Sequence, residues 1–213
     1  MRPDFDESAA LAEYEVTWAL ETKIATDVAQ ALKERTLTLP SARLFYVDEL
    51  SAAVAVREFM SDRGNYPNLV GLRPDLYRGF MEQTWRHAGS NGVASLIHPE
   101  THFTDEKAGA LRDVTYRRLR RHWQFINELQ LFEVHNLVIY GIHVYGEPRD
   151  PNFLNASSLY HPDTVVRSFS HDGSGSEPGL KEPDGSWDLR PHRSRLVKVD
   201  DDELATWKDL LET

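Results

Sequence analysis

The sequence predicts an α/β protein built on part of a doubly wound sheet, with a helical N-terminal arm and an irregular C-terminal extension. Three observations lead there. Asp75 to Gly146 alternates helical and strand-like patterns in the order helix, strand, helix, strand, strand. Residues 6–34 carry apolar side chains at helical spacing, with acids on the other side. From Asp150 onward Gly, Pro, Ser and Asp accumulate. These set the boundaries at 1–64 for the arm, 65–149 for the half-sheet and 150–213 for the loop-rich extension with its final helix.

The elements follow in order. Residues 6–34 read as one long helix capped by Asp6 or Ser8, with Leu11, Trp18, Val28 and Leu32 on one side. Thr36 to Pro40 breaks it, and Phe45 to Met60 forms a second helix that Asp62-Arg63-Gly64 ends. Pro74-Asp75 starts the next helix, striped by Leu76, Tyr77, Phe80, Met81 and Trp85, and Gly89 to Gly92 stops it. Val93 to Ile97 is an apolar run closed by His98-Pro99, suited to a central parallel strand. A helix follows with Asp105 and Glu106 in its first turn and Arg117 to Arg121 in its last, matching the dipole at each end. Two apolar strands, around Trp123 and Leu137, close the segment. Asp150 to Ser158 reads as a loop, His161-Pro162-Asp163 opens a short helix to Phe169, and Leu196 to Val199 is a short strand. Asp200 to Leu211 is an acidic helix.

Composition narrows the function classes. With 213 residues, 40% of them hydrophobic and five of them tryptophan, the chain has material for a core. No apolar run approaches the roughly 20 residues that span a bilayer, so no membrane partner is expected. Zero cysteines exclude disulfides and thiolate chemistry and agree with a cytoplasmic location. A net charge of -10 opposes free-standing binding to nucleic acid, although a local basic face remains compatible with it.

The residues themselves offer little catalysis. His98 and His102 flank Glu100 in HPETH, but a zinc-protease helix needs His-Glu-x-x-His, and Pro99 opposes a helix there. His122, His135 and His143 near the last two strands lack ligand spacing, so no metal is expected. Ser95 has no nucleophile elbow around it. Asp172-Gly173-Ser174-Gly175 has neither the preceding strand nor the Lys-Ser/Thr of a phosphate loop. The one concentrated positive feature is Arg117, Arg118, Arg120 and Arg121. It reads either as helix-end chemistry or as a patch contacting the DNA backbone.

A family resemblance adds a function. Asn65-Tyr66-Pro67, the run Asp75 to Phe80, GVASLIHPE (92–100), FINELQLF (125–132) and IHVYG (142–146) occur in this order, followed by LYHP (159–162), HDGSG (171–175) and Trp187. This succession resembles the large class I adenine-N6 DNA methyltransferases of restriction–modification and phage-exclusion systems, from about residue 65 onward. The resemblance implies S-adenosylmethionine as cofactor, a flipped adenine in DNA as substrate, and direct attack of its amine on the methyl group. It makes the strand at Val93 the fifth of the sheet and the next two the sixth and seventh, the last antiparallel. His98, Pro99 and Glu100 would then shape the pocket for the base, and the four arginines would meet the DNA backbone. A strand-to-helix turn is the plainer account of the first three.

The departures are specific. The family's glycine-rich turn after the first strand is absent, as is the acidic residue after the second. The Pro-Pro catalytic loop is absent too, Asn65-Tyr66-Pro67-Asn68 having one proline, preceded by its aromatic. The chain thus resembles the distal half of the catalytic region. No catalytic residue is assigned, and the chain is expected to be inactive without an N-terminal half supplied by a partner. The alternative is a non-catalytic protein-interaction or DNA-binding module of a defence complex.

Overall fold

The computed structural model describes residues 4–21 and 23–211. It is an α/β protein that divides into two compact units, residues 1–79 and 80–213.

The first unit is helical. The long helix expected over 6–34 is instead three: α1 (Glu7–Ala12), α2 (Thr17–Leu20) and α3 (Thr26–Thr36). Asp6 caps α1 by accepting from the Ala9 amide at 2.9 Å. The break between α1 and α2 has a local feature. Glu15 accepts hydrogen bonds from both the amide and the hydroxyl of Thr17, a side-chain alternative to the helical ladder. Glu7 then receives Lys33 at 2.5 Å and the Tyr46 hydroxyl, tying α1 to α3 and to α4 (Pro40–Ser61). Helix α3 ends at Thr36 as expected, and α4 begins at Pro40, earlier than Phe45, because proline suits the first helical turn, where its missing N–H is not needed.

The second unit holds the sheet. Its strands are β1 (Ala94–Pro99), β2 (Leu119–Ile126), β3 (Ile139–Tyr145), β4 (Asn152–Leu159) and β5 (Val197–Asp200), in the order β1-β3-β2-β4-β5. β3 is antiparallel to both β1 and β2, which therefore run the same way, and β4 is parallel to β2. β5 closes the far edge antiparallel to β4. The helices are α5 (Leu76–His87), which crosses the boundary between the units, α6 (Thr101–Thr104), α7 (Gly109–Arg118), α8 (Pro162–Ser168) and α9 (Asp201–Leu211).

Three expectations are corrected here. β1 pairs with β3 alone, so within this sheet it is an edge strand, not a central one. The helix expected to run from Asp105 to Arg121 ends at Arg118, and Arg120 and Arg121 belong to β2. The stretch read as a loop after Asp150 is β4. Its Asn and Ser content argues against a strand, but Phe153, Ala156 and Leu159 are buried between two neighbours, and burial outweighs propensity.

Alternation splits the sheet into two faces. Trp123, Phe125, Tyr140, Ala156 and Leu159 point to one face and pack with Val165 of α8. Phe125 and Tyr140 stack at 5.6 Å, and Trp123 meets Phe169 edge-on at 5.9 Å. The irregular segment beyond α8 is pinned by Asp188. Its carboxylate is fully shielded and receives Arg190 at 2.7 Å and the Gly179 amide at 3.0 Å. No helix among the described residues is long and apolar enough to cross a membrane.

Candidate functional site

The opposite face of the sheet carries a polar patch among apolar neighbours such as Tyr145 and Phe153, and the patch is set by register. His122 of β2 sits directly across from His143 of β3, and Gln124 across from Gly141. On the other side of β3, His98 of β1 pairs with Gly141. Residues opposite one another in an antiparallel pair point to the same face, so these side chains gather over one patch. Two residues after His98, beyond the end of β1, Glu100 turns its carboxylate back over the same patch.

Glu100, His122 and His143 form a cluster in which one side-chain nitrogen or oxygen from each lies within 4.8 Å of the other two. The carboxylate Oε1 is hydrogen-bonded to His122 Nε2 and stands 3.7 Å from His143 Nε2. Gln124 donates to the other oxygen, Oε2, at 2.7 Å. Its own carbonyl accepts from the Ser158 amide at 3.4 Å, an arrangement that assigns which end of the amide faces Glu100. Ser158 belongs to a bulge where β4 slips by one residue against β2, and it adopts φ 54°, a left-handed conformation uncommon for a residue with a side chain. The strand irregularity thus serves the orientation of Glu100.

His143 is the most enclosed member, with no exposed side-chain surface, against 8% for Glu100 and 12% for His122. Among the described residues neither of its ring nitrogens makes a hydrogen bond of acceptable geometry, although the Gly141 backbone lies near. Burial first, and then the neighbouring imidazoles of His98, His122 and His102, hold its pKa well below the usual histidine value. His98 stacks on it at 3.9 Å, and burial lowers the His98 pKa to about 4. His98 is locked by its own bonds: Nδ1 donates to the Pro99 carbonyl at 2.7 Å, and Nε2 accepts from the Tyr145 hydroxyl at 2.9 Å. Room for all this exists because residue 141 is glycine. A Cβ there would fall well inside van der Waals contact of His143 and Glu100.

The cluster opens into a cavity of about 390 Å³. Glu100, His122, Gln124, Asn155 and Ser157 supply its polar side, and Phe103, Tyr116, Phe153 and Trp207 its aromatic walls. Glu100, Gln124 and Ser157 lie toward the carboxyl ends of β1, β2 and β4, which share one direction. A cavity of this size, with apolar walls and a few convergent polar groups, has the form of a small-molecule site.

Of the pocket residues expected from sequence, Glu100 lines the cavity. His98 is buried beneath the cluster, and Pro99 is exposed on the edge strand. The four arginines each have partners within the chain. Arg117 pairs with Asp113 at 3.2 Å and with Asp150 at 3.7 Å, and Arg118 lies over the Trp85 ring. Arg120 donates to three backbone carbonyls, those of Arg118, Leu119 and Glu147, and Arg121 lies over the Phe169 ring. His122 and His143 are visible in the sequence but set aside there for want of ligand spacing, and Gln124 and Gly141 are not singled out, because the proximity of all four depends on strand register. Only the even spacings within IYGIHVY and RRHWQF hinted that they share a face.

A scan against models of known protein families gives no match to this sequence, and a search of curated proteins gives none either.

Proposed function

We propose that this chain is part of an S-adenosylmethionine-dependent DNA adenine-N6 methyltransferase of a host-defence system, and that it contributes the distal half of the catalytic sheet. The observation that carries this reading is the strand arrangement of the second unit. β1 and β2 run the same way with helices α6 and α7 between them, and the later strand β3 lies antiparallel to both. The methyltransferase resemblance implies such a succession: a fifth and a sixth strand followed by an antiparallel seventh.

Two further features support it. The outer edge of β1 has no strand partner among the described residues, so a preceding strand of a partner half can add there by backbone hydrogen bonding. The cavity reaches the carboxyl ends of the parallel strands, where doubly wound sheets bind ligands, and Glu100 faces into it. Its aromatic walls suit a flat heterocycle and its amide and carboxylate groups suit a base edge.

The residues present do not fit the cofactor. The turns at the cavity, Glu100 after β1, Asn127–Leu129 after β2 and Tyr160-His161 after β4, hold no glycine whose amide could approach it, and the strand that carries such a turn in the family precedes the fifth, to which β1 corresponds. No methyl-transfer step is therefore assigned to this chain. Its part is to complete the sheet and shape the cavity. The deciding experiment is calorimetric titration of S-adenosylmethionine, followed by transfer of labelled methyl groups to adenine in DNA. Both are run with the chain alone and with the protein supplying the glycine-rich turn and the Pro-Pro loop. Binding and transfer only in the pair support the reading. Binding by the isolated chain, or none in either case, overturns it.

A further inference from the structure

We propose that Glu100, His122 and His143 form a binding site for one divalent transition-metal ion of the zinc class. The inference rests on these three side chains and their supports, independently of the methyltransferase reading.

The donor set is the first argument. Two imidazoles and one carboxylate are the ligands borderline ions such as Zn²⁺ take, and three protein ligands with one open side are the usual arrangement where a fourth position is left to water or substrate. The open side is present here: Glu100 and His122 line the cavity, so a small ligand can complete the coordination from there. Bonds of about 2.0–2.2 Å place the ligand atoms of a four-coordinate ion roughly 3.5 Å apart. The atoms here lie within 4.8 Å, and Glu100 to His143 is already 3.7 Å. Small side-chain rotations bring them onto one ion.

The second argument is His143. A buried imidazole without a hydrogen bond of good geometry at either nitrogen is unusual, since buried polar groups are nearly always satisfied. An ion between it and Glu100 supplies the missing partner.

The third is the construction around the ligands. Gln124 holds the far oxygen of Glu100, leaving Oε1 toward both imidazoles, and the Ser158 amide in turn fixes Gln124. His98 stacks on His143 and sets the plane of its ring. Metal ligands are commonly oriented by such outer partners. Gly141 leaves empty the space a side chain would take from His143 and Glu100. A structural histidine pair requires none of these.

The test uses tag-free protein stripped with chelator and dialysed. Zn²⁺ is titrated by calorimetry, and Co²⁺ is followed by its visible absorption, which reports nitrogen and oxygen ligation directly. The wild type is expected to bind one equivalent of either ion. His122→Asn and Glu100→Gln should each weaken binding by at least ~100-fold, since losing a ligand exceeds the effect of losing an outer partner. His135→Asn, a histidine outside the cluster, should leave binding unchanged. Both ligand variants lie at the cavity, where folding is expected to survive, and circular dichroism checks that it does. His143→Asn is avoided as the main test because its site is buried. No stoichiometric uptake by the wild type, or equal uptake by the folded ligand variants, overturns the proposal.

Discussion

The two faces of one sheet divide the work of this protein. On the side of α8, Trp123, Phe125, Tyr140, Ala156 and Leu159 make an apolar layer. On the other side the same strands, one residue out of step, present His122, Gln124, His143 and Asn155, with Glu100 folded over them. On the first face a stack of rings packs without leaving the Tyr140 hydroxyl or the Trp123 indole N–H buried and unsatisfied. The second carries a buried imidazole with poor hydrogen bonding, a bulge and a left-handed serine, all features that cost stability. Strain and unsatisfied polarity on one side of a sheet whose other side is conventional make the second face the candidate for function.

The contrast is best broken from the apolar side. Phe125→Ala removes a ring that is 1% exposed and stacked on Tyr140. It should destabilise the protein by about 4 kcal/mol, read as a shift in urea midpoint at constant slope. A loss near 1 kcal/mol would mean that this layer is not the core of the unit.

The same side is sealed by the segment pinned at Asp188. Asp188→Asn leaves Arg195, 3.6 Å from the carboxylate, without its counter-charge and weakens the link to Arg190, so about 3 kcal/mol should be lost at neutral pH. The hydrogen bond from Arg190, with smaller help from backbone amides and charge, holds the Asp188 carboxyl well below the usual carboxylate range. A depressed folded-state pKa gives stability that is complete above the unfolded value, about 3.9, and drains away as pH falls through the folded one. The gap between wild type and variant should therefore be widest near pH 6 and shrink progressively below about pH 4. Denaturation at pH 6 and pH 3 measures it, and a gap independent of pH would remove the carboxylate from the account.

On the polar face the most damaging small change is Gly141→Ala. The added methyl meets the His143 ring and the Glu100 carboxylate, and the ring is hemmed in by His98, so neither moves cheaply. About 2 kcal/mol of destabilisation is expected, with loss of Zn²⁺ uptake. Alanine at Gly109, where a Cβ meets nothing within 4 Å, is the control and should cost nothing measurable.

How much of this was legible in the sequence follows from what each feature depends on. Helix α5, strands β1 to β3, the His161 cap of α8 and helix α9 announce themselves by local periodicity and capping residues. β4 did not, because NFLNASSL lacks β-branched residues and is a strand only by virtue of its neighbours. The breaks between α1, α2 and α3 hid behind a continuous apolar spacing, and at the first of them the Glu15 side chain bonds Thr17 in place of the helical ladder. For the site, Glu100 was reachable from its place after an apolar run. The pairing of His122 with His143 was not, since the loop of residues 127–138 between their strands leaves register undetermined from sequence. The short spacing of His98 and His102 drew attention to one stretch of chain, whereas the cluster joins the turn after β1 to β2 and β3.

The finest test of the two-face division is Gln124, a neighbour of Phe125 that points the other way. Gln124→Leu keeps the side-chain bulk but removes the donor to Glu100 Oε2 and the acceptor for the Ser158 amide. Its stability cost should be about 1 kcal/mol or less, since Glu100 keeps its bond to His122 and Gln124 borders a cavity. Its effect on the site should be larger than its effect on the fold. With Glu100 free to swing, Zn²⁺ affinity should fall about 10–100-fold while the urea midpoint hardly moves. Had Gln124 been chiefly a packing residue, leucine would preserve binding and raise stability. The ratio of those two responses, compared with that of Phe125→Ala next to it in the chain, measures how cleanly a shift of one residue along β2 separates support from chemistry.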